Sequence, residues 1–317
     1  MQENYENCNN VNLTDDDIEH LFDNQETLDL DSIEDFGCQV SSSQIKVKYS
    51  HLSDVPRIVH SILEVKDLEL SISFIRMCGY QFLFRGLPNA SYDLLPTIVW
   101  NKVENYDQEK EILNELIEIC KKYEYEDFRH PSFNKTLFYM AVGRHLGMHS
   151  RLMDWSASMW KSISFLMNDK DGLLENDGAL WILAYPHKSV QPEKITPFSF
   201  TDHKIHVLRE DYYLPDDRDL PIGIKRMDHQ NGFFTVQPED LLDVPIENLV
   251  ASSGMELIKV IIPKETKALL KGYKELVDLR WMYVDENEPI IEEVKQLNDK
   301  FIIKEPVLPR SAGCAIR

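Results

Sequence analysis

Long hydrophobic runs are missing from this chain: no stretch reaches the roughly eighteen consecutive apolar residues that a membrane helix requires. No basic flank followed by an apolar run opens it either, since it begins Met1-Gln2-Glu3-Asn4, so no signal peptide is expected. Cysteine is scarce. The five, Cys8, Cys38, Cys78, Cys120 and Cys314, are odd in number and never form Cys-x-x-Cys, which excludes a disulfide framework and a cysteine-based zinc centre. Reduced thiols in a cytoplasmic protein are the expectation. Positive charge is short as well, with a formal net charge of −20. Broad binding to nucleic acid or an anionic membrane is therefore disfavoured unless a local basic groove exists. No Gly-x-Gly-x-x-Gly, phosphate loop, Gly-x-Ser-x-Gly or His-Glu-x-x-His occurs, which sets aside those enzyme templates. His145 and His149, and likewise His203 and His206, have helical spacing but no acidic third ligand nearby, so no metal site is expected. Asp15-Asp16-Asp17 lacks the glycine and terminal glutamate of a calcium loop and reads as a helix start.

What is present is a sharp asymmetry. Residues 1–45 carry twelve acidic side chains and no lysine or arginine. The segment 1–43 reads as an acidic N-terminal arm, interleaved with Ile18, Leu21, Phe22, Leu28, Leu30, Ile33 and Phe36. It suits either a solvated tail or short amphipathic helices that dock on the body, on a protein partner or on an inhibitor. Residues 44–317 form the body, and 317 residues at 43% hydrophobic composition are enough for one large domain or two moderate ones.

Periodicity predicts a helix from Ser53 through Leu63 with Pro56 in its first turn, and others over Ile112 to Cys120, Leu137 to Arg144, from Ser156 or Ser158 to Met167, Lys264 to Lys271, and Ile290 to Phe301. Tyr80 to Phe84 reads as a strand ending in a turn at Gly86, with Arg85 at its edge. Gly178 to Ala184 and Met255 to Ile262 read as buried strands, and Phe233 to Val236 as one strand amid long irregular connections from Tyr185 to Asp240. Helices and strands without regular alternation predict an α+β fold, with a central mixed or antiparallel sheet and several packed helices.

Chemistry concentrates in a few blocks. Phe84-Arg85-Gly86 offers a guanidinium fork beside a residue without Cβ, a pairing that suits phosphate, although an arginine here also suits a carbonyl or carboxylate partner. The stretch Arg144-His145-Leu146-Gly147-Met148-His149-Ser150-Arg151-Leu152-Met153-Asp154-Trp155-Ser156 gathers polar groups just before a helix N-terminus. His145, Ser150, Arg151, Asp154 and Ser156 could together hold a nucleotide. Equally, Asp154 and Ser156 could cap that helix, and Arg151 could pair with Asp154. Trp155 fits either the core or a base-stacking platform.

These blocks, with Tyr92-Asp93-Leu94-Leu95-Pro96, Asp177-Gly178-Ala179-Leu180-Trp181, Arg226 and Gln230-Asn231-Gly232-Phe233, resemble in order and type the FRG domain family over roughly residues 75–280. Arg144 departs from the glutamine usual in that family, and His149-Ser150 from its Pro-Thr. The order is also similar, more weakly, to arginine–serine–glutamate ADP-ribosyltransferases. That similarity implies that Arg85 binds the phosphate or ribose of NAD, with Gly86, Tyr92, His145, Ser150, Arg151, Asp154 and Ser156 around the ligand. Ser156 or Ser158 would support the nicotinamide pocket, and Glu239 of Gln237-Pro238-Glu239, or Gln230, would face the ribose at the oxocarbenium-like transition state. ADP-ribosyl transfer or NAD glycohydrolysis, in a toxin or phage-defence setting, is what the resemblance implies. A non-catalytic recognition module is the alternative; the acceptor is open.

Overall fold

The computed structural model describes residues 51–76, 79–130, 134–167, 175–186, 198, 204–209, 220–230, 232–273 and 288–303. The acidic arm, its three-aspartate run and His203 lie outside the described residues. Six strands form one sheet: β1 (Tyr80–Leu87), β2 (Met153–Ser156), β3 (Gly178–Pro186), β4 (His206–Arg209), β5 (Gly232–Val236) and β6 (Glu256–Ile262). Their order is β4-β5-β2-β1-β3-β6, and every neighbouring pair is antiparallel. Eight α-helices accompany them among the described residues: α1 (Ile62–Arg76), α2 (Thr97–Trp100), α3 (Gln108–Lys122), α4 (Lys135–His145), α5 (Met159–Leu166), α6 (Ile222–Gln230), α7 (Lys264–Leu270) and α8 (Pro289–Asn298). The fold is α+β, and the sheet is antiparallel. No described helix is long and apolar enough to cross a membrane.

Side chains alternate across a strand, and directly paired residues share a face. On one face Phe82, Phe84, Leu180, Ile182, Ile258 and Val260 are buried against Leu68 and Ile72 of α1 and Ile163 and Leu166 of α5. The same face continues across β2 and β5, where Asp154 pairs with Phe234 and Ser156 with Gly232. There Phe234 and Leu208 pack under a second helical layer built from α3, α4, α6 and α8. The opposite face, with Leu83, Met153, Trp155 and Leu183, is covered by Leu94, Ile246, Val250 and Met255. Two helical groups thus stand on one face, and the polar residues of β2 lie where they part.

Three expectations are corrected by the backbone. Residues 57–59 are extended rather than helical, because Val59 donates to Ile261 (3.0 Å) and Ile261 to Arg57 (2.7 Å), which extends the sheet beside β6. The helix begins only at Ile62. β1 does not stop before Gly86: β3 pairs along all of it, so Arg85 lies within the strand opposite Trp181. The connection between Tyr185 and Asp240 holds β4 and α6 as well as β5.

Candidate functional site

An arginine-lined cleft opens above β2. About 280 Å³ in volume, it is lined by Phe84, Arg85 and Gly86 of β1, Asp154 to Ser156 of β2, Arg144 and His145 of α4, Ser162 and Phe165 of α5, Arg226 of α6, and Pro88. The register between β1 and β2 is the single pair Phe84 and Ser156. Beyond it the Arg85 guanidinium donates to the Asp154 carbonyl (Nη1 to O, 2.5 Å), a bond that the ladder does not supply. The same nitrogen lies 3.6 Å from Asp154 Oδ2, and Arg144 Nη2 reaches that oxygen at 2.5 Å. Arg226 donates to the main-chain carbonyl of His145. Three guanidiniums and an imidazole from three elements therefore surround one carboxylate.

Burial acts to raise the Asp154 carboxyl, but the charges of Arg144, Arg85, His145 and Arg226 overcome it and hold the group below the ordinary carboxylate range. Burial lowers the Arg85 guanidinium, and the neighbouring Arg144 charge adds to that, with Asp154 opposing. His149 is lowered by burial and again by Arg144, so the field of the cluster extends past the cleft. The Nε atoms of Arg85 and Arg144 and the Oδ1 of Asp154 are buried without hydrogen-bond partners. A cluster with unmet donors and an unmet acceptor suits a polar ligand better than a closed structural bridge.

Gly86 serves a different need from the one the sequence suggests. A Cβ built on it would lie 1.8 Å from the Ser162 carbonyl oxygen, so the missing side chain lets α5 approach β1. Ser158, not Asp154 or Ser156, caps α5, accepting from the Lys161 amide (3.3 Å), while Ser156 Oγ accepts from the Ser158 amide (3.0 Å). Trp155 donates its indole N–H to Thr235 Oγ1 (2.9 Å) and is buried, which makes it core.

The remaining expected residues sit elsewhere. Arg151 pairs with Glu109 rather than Asp154: its Nε lies 2.6 Å from Glu109 Oε2, both side chains are fully buried, and Ser150 donates to Glu109 Oε1 (3.0 Å). Arg151 also meets Glu239 Oε2 at 3.2 Å. Glu239 lines a second, open cleft with Glu104, Asn105, Tyr106, Lys110, Phe198 and Asp240, not the arginine cleft. Tyr92 packs edge-on against Trp100, ring centres 5.2 Å apart, and does not line the arginine cleft either. Gln230 ends α6, and its side chain lies outside the described residues. Two contributors escaped the site expectation. Arg144 stood out only as a departure from a motif, and Arg226 only as part of a resemblance.

Residues 80–172 match the family model described as the FRG domain. The match spans β1, α2, α3, α4, β2 and α5, and ends before Arg226 and Glu239. No curated protein and no solved structure matches the chain.

Proposed function

We propose that the arginine cleft binds a phosphate-bearing nucleotide, with Arg85, Arg144 and Arg226 facing the phosphate and His145 orienting the ligand. The observation that carries this reading is the gathering of three guanidiniums at one cleft, two of them on its single carboxylate, in a chain whose net charge is −20. Guanidiniums present a planar fork matched to phosphate oxygens, and a positive concavity in an acidic protein is a costly arrangement without an anion to receive. Ligand pockets run from roughly 300 to 1,000 Å³, so about 280 Å³ suits a phosphate and its sugar rather than a whole dinucleotide.

The weaker resemblance of the sequence blocks to ADP-ribosyltransferases extends the reading to NAD, of which the cleft would hold one phosphate and its ribose. Cleavage of the nicotinamide–ribose bond develops positive charge on the ribose, which a carboxylate stabilises. In this cleft that carboxylate would be Asp154, since Glu239 lines the other one. Non-catalytic recognition is the second reading, and one observation favours it. Asp154 is already engaged by two guanidiniums, which weakens it as a partner for a developing cation.

Titrating NAD and adenosine monophosphate into the full chain, while following nicotinamide release from NAD, tests both. Binding that Arg85→Ala weakens about tenfold or more supports the cleft as a nucleotide site, since bonds to charged groups are the stronger class. Nicotinamide release abolished by Asp154→Asn supports an enzyme, and binding without release supports recognition. If neither nucleotide binds, the proposal is wrong.

A further inference from the structure

The phosphate suited to this cleft can be specified further, on the premise that the cleft is a nucleotide site. Arg144 Nη2 and Arg85 Nη1 lie 2.5 Å and 3.6 Å from one and the same oxygen, Asp154 Oδ2. Arg226 is fixed one residue away by the His145 carbonyl. The positive charge is thus focused around a point rather than spread along a groove. Among the lining residues, three guanidiniums and an imidazole stand beside a single carboxylate.

From this we infer that the cleft selects a terminal phosphomonoester, a dianion concentrated on one phosphorus, over the internal diesters of a dinucleotide such as NAD, where each phosphorus carries one negative charge. Such a preference follows the recognition reading rather than the NAD one. A monoester brings three peripheral oxygens to one point and nearly two negative charges at neutral pH. An internal pyrophosphate distributes the same charge over two centres and lacks the third free oxygen on each. The volume agrees, because a nucleotide ending in phosphate can insert that end alone and leave its base at the mouth, beside the half-buried Phe165 and Pro88.

Adenosine 5′-monophosphate and its phosphate methyl ester separate the two chemistries, differing by one methyl and by the second ionisation near pH 6. The charged and titratable groups around the ligand are Arg85 on β1, Arg144 and His145 on α4, Asp154 on β2, Lys161 on α5, Arg226 and Asp228 on α6, and His149 beyond α4. Protonation of these groups shifts the affinity of both ligands, and of a dianion more than of a monoanion, so the decisive comparison is with about pH 5, where both ligands carry one negative charge. Calorimetric titration of the full chain should show the monophosphate binding about tenfold or more tightly than the methyl ester at about pH 7.5, with the ratio falling towards one at about pH 5. Arg144→Ala, and independently the charge-retaining Arg144→Lys, should reduce the ratio at the higher pH. Equal binding of the two ligands at about pH 7.5 overturns the monoester inference and leaves a nucleotide site standing. Absence of binding by either ligand removes the nucleotide reading and this inference with it.

Discussion

Replacing Gly86 by alanine adds one methyl group at a place where the main chain of α5 already stands. The new Cβ would lie 1.8 Å from the Ser162 carbonyl oxygen and 3.0 Å from the Leu166 amide nitrogen. Non-bonded heavy atoms settle near 3.5 Å, so the helix has to retreat by roughly 1.5 Å. No flexible side chain can yield instead, because the obstacle is backbone. Retreat would also lift Ile163 and Leu166, both fully buried, away from Phe84, Leu180 and Ile182. Overpacking of this kind costs about 1–3 kcal/mol, and a main-chain obstacle puts Gly86→Ala at the upper end, about 3 kcal/mol. Urea unfolding followed by circular dichroism measures it as a drop in midpoint at unchanged slope. If the glycine existed only to let a ligand approach, the variant would keep its stability and lose binding alone. A loss below about 0.5 kcal/mol, within the range of neutral surface changes, would refute the packing argument.

Glu109→Gln leaves the buried Arg151 guanidinium without its nearest carboxylate, and breaking a buried pair in this way costs about 3–5 kcal/mol by the same unfolding assay. A loss below about 1 kcal/mol would show that Glu239 suffices as a partner. Because the Asp154 carboxyl is held below its ordinary value in the fold, its contribution to stability is present above the unfolded-state value and is lost as pH falls through the folded one. The stability difference between the native chain and Asp154→Asn should accordingly shrink in acid, and a difference constant from neutral to acid pH would contradict that. Glu239→Gln should leave nucleotide affinity in the arginine cleft within about twofold, since lone contacts far apart act independently. A tenfold loss would mean that the two clefts act as one site.

Local pattern carried the elements that are amphipathic or bounded by turn residues. The stripe Ile112, Leu113, Leu116 and Cys120 became α3, and the apolar run from Gly178 became β3, because burial of a periodic face is written in adjacent residues. Residues 57–59 of the helix expected from Ser53 through Leu63 are extended for a non-local reason: their backbone bonds to Ile261, some two hundred positions later, and no helical stripe reports that. The site divided in the same way. Arg85, His145, Asp154 and Ser156 were legible from the blocks around them, and all four line the cleft. Arg151 was legible as important but not as Glu109's partner, since 42 residues separate the two. Glu239 had the right residue type, yet the sequence could not say that the short helix after Pro238 turns it towards Arg151. Arg144 and Arg226 required the packing of α4 and α6 over β2 before their charges could be counted together.

The most direct measurement is a calorimetric titration of adenosine 5′-monophosphate into the full chain at neutral pH, repeated with Arg85→Ala and Arg144→Ala after each variant is shown to melt as a folded protein. Saturable binding that weakens about tenfold or more in both variants is the predicted result. No binding to the native chain, or binding that survives both substitutions unchanged, would contradict it.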